Sequence, residues 1–140
     1  MYELIRAAAG DRVLFLSLPE DTGLIARLAG EAVRGLLFAL GADEAVYAAR
    51  IDFRDFQNVM FAPGEPDVIP WQDAFFTIAI DSSCEWRDAA ATVRELARVL
   101  AGDGVAYLKA DGRLKAELEA GGFLEVDSGG ELRKFRKLTS

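Results

Sequence analysis

The chain has 140 residues, 51% hydrophobic and 28% charged, with nine Phe and a net charge of −7. Such a composition belongs to a folded globular protein and sets disorder aside, and the length leads us to expect a single minimal domain over residues 1–140. There is no histidine and Cys84 is the lone cysteine, which excludes an intramolecular disulfide, a His-ligated or cysteine-based metal site, and the Ser-His-Asp and Cys-His nucleophile arrangements.

The first element predicted is a strand over Arg12 to Leu16, a short apolar run of the kind buried on both faces of a parallel sheet. Asp21 or Thr22 then offers an N-cap to a helix whose apolar positions Leu24, Ile25, Leu28 and Ala29 recur at helical spacing, with Gly30 as its stop. Gly35 to Leu40 reads as a second buried strand, and Asp43 to Arg50 as a short helix whose acidic start suits the helix dipole. Asn58 to Phe61 is a third strand. Ala62-Pro63-Gly64-Glu65-Pro66 is read as irregular because two prolines flank a glycine, and the loop is taken to run to about Asp73.

Phe75 to Ile80 is the strongest strand pattern, followed through Asp81-Ser82-Ser83 by an amphipathic helix with Ala89, Val93, Leu96, Ala97 and Leu100 on one face. Gly102-Asp103-Gly104 is expected to end that helix. Val105 to Leu108 is a fifth strand, Leu114 to Ala120 a helix stopped by Gly121-Gly122, and Phe123 to Val126 a sixth strand. Gly129-Gly130 should make a tight turn into a last strand over Leu132 to Leu138, antiparallel at or near the sheet edge. Its basic residues Arg133, Lys134, Arg136 and Lys137 read as solvent-facing charge. Alternating strands and helices imply an α/β, Rossmann-like, doubly wound and mostly parallel sheet of about seven strands, the last hairpin antiparallel.

Nucleic acid is not expected as a partner, because neutralising a phosphate backbone needs clustered Lys and Arg that this acidic chain lacks. No stretch reaches the length of a membrane span and the N-terminus lacks the pattern of a signal peptide, so a cytoplasmic location without membrane contact is the expectation.

Three stretches carry a family resemblance. Asn58-Val59-Met60-Phe61 with Gly64-Glu65, Ile69-Pro70-Trp71 and Asp73-Ala74-Phe75-Phe76 resembles the middle of small-molecule-type class I S-adenosylmethionine-dependent methyltransferases (methyltransferase type 11-like). Glu95-Leu96-Ala97-Arg98-Val99-Leu100 running into Gly102-Asp103-Gly104 is similar to that family's E-x-x-R-V-L-x-x-G-G, and Gly121-Gly122-Phe123 to its A-G-F. Together they span nearly the whole chain in the right order.

The resemblance implies a seven-stranded sheet with S-adenosylmethionine at the carboxyl ends of the first four strands, where strand order reverses. It places the candidate cofactor contacts at Ser17 and Gly23 in the opening loop, Glu65 and Pro66 after strand three, and Asp81 after strand four. The departures are concentrated there. Where the family reads V-L-D-L-G-x-G-x-G, Phe15 replaces the acid, Ser17, Leu18 and Pro19 carry side chains where backbone should approach the ligand, and only Gly23 survives. Leu40 stands where the ribose-binding carboxylate belongs, with Asp43 and Glu44 nearby as helix-start charges. Glu65 has two readings, as the acceptor of the adenine amino group or as an exposed loop acid. Asp81 likewise reads either as a general base or as a strand-end acid and cap.

Two functional expectations follow. One is a methyltransferase-like domain with an eroded cofactor site, a non-catalytic interaction or regulatory module whose partner is a protein or a small molecule. Trp71, Trp86 and Phe56 would anchor its apolar patch, with homodimerisation through that patch or the final edge strand as a further route. The other is an active S-adenosylmethionine-dependent methyltransferase with an atypical cofactor loop, working mainly by alignment of its two substrates.

Overall fold

A computed structural model describes residues 4–128 and 130–138. Its short apolar runs form seven strands: β1 (Arg12–Phe15), β2 (Leu36–Gly41), β3 (Val59–Pro63), β4 (Phe76–Asp81), β5 (Leu100–Leu108), β6 (Phe123–Asp127) and β7 (Arg133–Lys137). Four helices alternate with them: α1 (Gly23–Glu31), α2 (Asp43–Asp52), α3 (Ala89–Val99) and α4 (Gly112–Ala120). The sheet order is β3-β2-β1-β4-β5-β7-β6, with β7 antiparallel to both β5 and β6 and every other pairing parallel.

Strand alternation sorts the core into two layers. Val13, Phe15, Leu37, Ala39, Ile78 and Ile80 meet α1 and α2 on one face. Leu14, Phe38, Leu40, Phe76, Ala79 and Phe135 meet α3 and α4 on the other. The β3–β4 connection carries no helix, and its loop covers the second face itself. Ile69 is buried there, and Trp71 lies with its ring centroid 4.7 Å from Phe38 and 5.5 Å from Phe76.

That loop is held by the Glu95-x-x-Arg98 pair on α3. Glu95 accepts the Ile69 N–H at 2.8 Å, while Arg98 donates to the carbonyls of Ile69 and Trp71 and to Asp73, each at 2.8 Å. Two further donations from Arg98 to Glu95 fix both side chains. Arg98 holds the Glu95 carboxyl below the ordinary carboxylate range despite partial burial.

Several expectations are corrected. Ala62 and Pro63 belong to β3, which is the outer strand of the sheet, where a proline without an N–H costs no ladder bond. Gly30 lies inside α1, which runs on to Glu31. Leu100 has left the helix, and Gly102-Asp103-Gly104 sits within β5 as a bulge. Phe76 pairs with Leu100 and Ile78 with Val105, and Asp103 takes a φ of 64°. The final strand is antiparallel and near the sheet edge as expected, but the edge strand itself is β6, since β7 is paired on both sides.

Nor are all the β7 cations solvent-facing. Arg133 donates to Glu125 through Nε at 2.6 Å and to the Ala110 carbonyl at 3.0 Å, and Lys137 donates to the Leu100 carbonyl at 2.7 Å. Both share the covered face of the fully buried Phe135, as period-two alternation requires. Gly129 of the expected turn lies outside the described residues.

Candidate functional site

The strand order reverses beside β1, whose two neighbours β2 and β4 lead away in opposite directions, and the crevice at the carboxyl ends of such strands is where open α/β sheets take ligands. A cavity of about 140 Å³ sits there. Ser17 follows β1, Gly41 ends β2, Gly64, Glu65 and Pro66 follow β3, and Asp81 ends β4; all of them line it. Four of the five predicted contacts are therefore brought together. The fifth, Gly23, is not, because it opens α1 with its N–H bonded to Asp21 Oδ1 at 2.9 Å.

Asp81 organises this place. Its side chain is 1% exposed and accepts four hydrogen bonds: Oδ1 from Ser17 Oγ at 2.9 Å, Ser83 N at 3.0 Å and Ser83 Oγ at 3.1 Å, and Oδ2 from Trp86 Nε1 at 2.7 Å. A buried carboxylate is costly unless donors surround it, and here all four donors come from the chain. The β1–α1 loop, the end of β4 and the following loop are thereby tied to one another. Three of the four bonds fall on Oδ1, while Oδ2 accepts only the Trp86 N–H, so most of this carboxylate's acceptor capacity is taken up by its own chain.

Apolar side chains pack closely around the cavity. Leu18 leans over Gly41 so closely that a Cβ added there would meet Leu18 Cδ1 at 2.8 Å, and Pro19 is buried behind it. Leu40, which the sequence resemblance aligns with a ribose-binding carboxylate, is fully buried and reaches to within 3.6 Å of where a Gly64 Cβ would stand. Phe15, at the position of the family's first acid, is 1% exposed in the core. Glu65 is exposed at the cavity rim, beside the bidentate Arg87–Asp67 pair that ties the β3–β4 loop to the segment after Trp86.

A wider concavity of about 410 Å³ lies on the other side of Ser83 and Trp86, with Lys109 and Arg113 set against Asp111 and Glu117. Cys84 lines it with a backbone φ of 52°, and burial together with the Asp81 charge pushes its thiol pKa far up, so it is no ready nucleophile. Among the described residues no group of His, Cys, Asp and Glu could hold a metal ion. No helix among them is long and apolar enough to cross a membrane.

Two expected anchors of an apolar patch are placed elsewhere: Trp71 is packed among Phe38, Phe75 and Phe76, and Trp86 is turned onto Asp81. Phe56 is exposed as expected. The Glu95–Arg98 clamp was visible in the sequence only as part of a motif, and its task of holding a helix-less loop could not be read from spacing.

No family model matches the chain, and no curated protein matches it in sequence. Solved structures do match in shape. A SAM-dependent methyltransferase from Aquifex aeolicus superposes with a TM-score of 0.74 at 17% identity, over 92% of this chain and 81% of that one. A chain from the Haloferax volcanii complex of a methyltransferase activator with a methyltransferase gives 0.73 at 18% identity, over 86% of this chain and 65% of that one. The [4+2]-cyclase SpnF gives 0.73 at 19% identity, over 86% of this chain and 54% of that one. The chain thus spans about half to two thirds of the length of the latter two. Its fold is that of the class I methyltransferases, Rossmann-like and α/β, with the antiparallel hairpin at the end of the sheet.

Proposed function

We propose that the chain is a methyltransferase-like module whose methyl-donor site is filled by its own side chains, and that it serves as a non-catalytic interaction or regulatory module. The observation that carries this reading is the internal engagement of Asp81 by Ser17, Ser83 and Trp86 at the place the cofactor would occupy. A cavity of about 140 Å³ is also well below the roughly 300–1,000 Å³ usual for small-molecule sites.

The energetics point the same way. Phe15 and Leu40 stand where two carboxylates would grip the ligand, and Ser17 to Pro19 stand where glycines would let the backbone approach. Each lost hydrogen bond costs on the order of 1 kcal/mol, more when charged, so the sum reaches about 4 kcal/mol and a thousandfold in affinity. The fold does not decide the chemistry, since function belongs to the site, and one structural neighbour carries the name of a cyclase. Another was solved with a methyltransferase activator, which supports protein contact as a use for this scaffold.

A second reading, an active S-adenosylmethionine-dependent methyltransferase with an atypical loop, is favoured by one observation: Ser17, Glu65, Pro66 and Asp81 do converge on a single cavity. Calorimetric titration with S-adenosylmethionine and S-adenosylhomocysteine separates the two. Silence at millimolar ligand supports the closed site. Binding tighter than about 100 μM, roughly −5.5 kcal/mol, overturns it, and a loss of that affinity in Glu65→Ala would then assign Glu65 to the adenine.

A further inference from the structure

A second concave surface, of about 330 Å³, lies at the other end of β3 and shares no lining residue with the cofactor-position cavity. Phe53 and Phe61, each 8% exposed, form its floor. Phe56 stands open to solvent beside them, 38% exposed, with the Phe53 and Phe56 rings 5.0 Å apart, and Met60, 47% exposed, borders the groove from the opposite face of β3. Arg50 and Arg54 supply its charge, and no carboxylate lines it.

The two arginines distinguish this groove from an incidental apolar surface. Arg50 donates to the Phe61 carbonyl at 2.8 Å and Arg54 to the Ile51 carbonyl at 3.1 Å, and among the described residues neither pairs with an acid. In a chain with 23 acidic and 16 basic residues, positive charge at an apolar groove without a carboxylate partner matches an acidic visitor.

The form of that visitor follows from the strand edge. Leu37 donates to the Asn58 carbonyl and Gly64 to the Gly41 carbonyl, so the even-numbered residues face β2 and Val59, Phe61 and Pro63 turn their backbone outward. Pro63 has no N–H to offer, and Arg50 already covers the Phe61 carbonyl. Strand addition is thereby blunted, whereas side-chain docking is open.

We propose that this groove binds an acidic amphipathic helix of a partner protein, its apolar stripe on Phe56 and the Phe53–Phe61 floor and its flanking carboxylates on Arg50 and Arg54. This goes beyond the closed-site reading, and donor binding at the opposite end of β3 neither supports nor weakens it.

The test is an NMR titration of the full ¹⁵N-labelled chain with a synthetic Glu/Leu/Ala helical peptide of about 16 residues, long enough to hold helical structure. A counterpart peptide carries Lys for every Glu. The expected result is shift changes concentrated over residues 50–61 with the Glu peptide alone. Affinity should fall about tenfold or more in Arg50→Glu/Arg54→Glu and be largely kept in Arg50→Lys/Arg54→Lys. If the double reversal unfolds, Arg54→Glu alone serves, because Arg54 bonds only the Ile51 carbonyl. No shifts over residues 50–61 at millimolar peptide, equal binding of the two peptides, or unchanged affinity after charge reversal would each overturn the proposal.

Discussion

The indole of Trp86 donates to the carboxylate of Asp81 at 2.7 Å, bending the segment after β4 back over the end of its own strand. The same carboxylate accepts from Ser17 beyond β1, so one buried acid ties together the segments that follow β1 and β4 at the crevice.

Replacing Asp81 by Ala should leave the donors Ser17, Ser83 and Trp86 without their acceptor in a buried site. A loss of about 2–4 kcal/mol is expected, read from urea unfolding. Asp81→Asn should cost less, because one carbonyl oxygen can still serve Ser17 and Ser83 while its amide N–H₂ opposes the Trp86 N–H. A neutral effect of Asp81→Ala on stability would count against the hub.

Leu40→Asp places a charge at a fully buried position beside Gly64. Destabilisation by about 3 kcal/mol or more is expected, since a buried carboxylate without donors is penalised heavily. Because Ser17 to Pro19 still fill the opening loop, millimolar S-adenosylhomocysteine should not restore the melting temperature. Recovery on adding it would show that the ribose grip was the sole part missing.

Arg98 holds Glu95 ionised, so its folded-state pKa lies below the unfolded value. The sign is that of a depressed acid: the contribution is complete above the ordinary carboxyl pKa of the unfolded chain and is lost as pH falls through the lower folded-state pKa. Glu95→Gln should flatten the acid limb of the stability–pH curve by about 1 kcal/mol. It should not abolish that limb, since Arg87 and Arg133 hold Asp67 and Glu125 low as well. A Glu95→Gln curve parallel to the parent would contradict this account.

Gly35→Ala should be among the most damaging small substitutions. A Cβ there would fall 1.8 Å from the Asp11 carbonyl oxygen, a backbone atom with nowhere to go. We expect a loss of about 3 kcal/mol or more in chemical denaturation, or failure to fold. An unchanged melting temperature would refute the close approach.

The alternation of β1, β2 and β4 with their helices was legible because short apolar runs carry the signal of doubly covered parallel strands. What misled was punctuation. Pro63 read as a strand breaker, yet an outer strand tolerates it. Gly102-Asp103-Gly104 read as a helix stop, yet it forms a bulge, whose position depends on pairing with Phe76 and Ile78 far away in sequence. Residue types put bulky side chains in the opening loop, but did not reveal that Asp81, Ser17 and Trp86 would satisfy one another. Nothing in the spacing of an acid, a serine and a tryptophan specifies that contact.

The decisive measurement is a crystal structure of the protein grown or soaked in millimolar S-adenosylmethionine. The account predicts that the bonds from Ser17 and Trp86 to Asp81 persist and that no donor density appears among Ser17, Gly41, Glu65 and Asp81. Ordered donor lying there, with those bonds broken to admit it, would contradict the claim that the chain fills its own site.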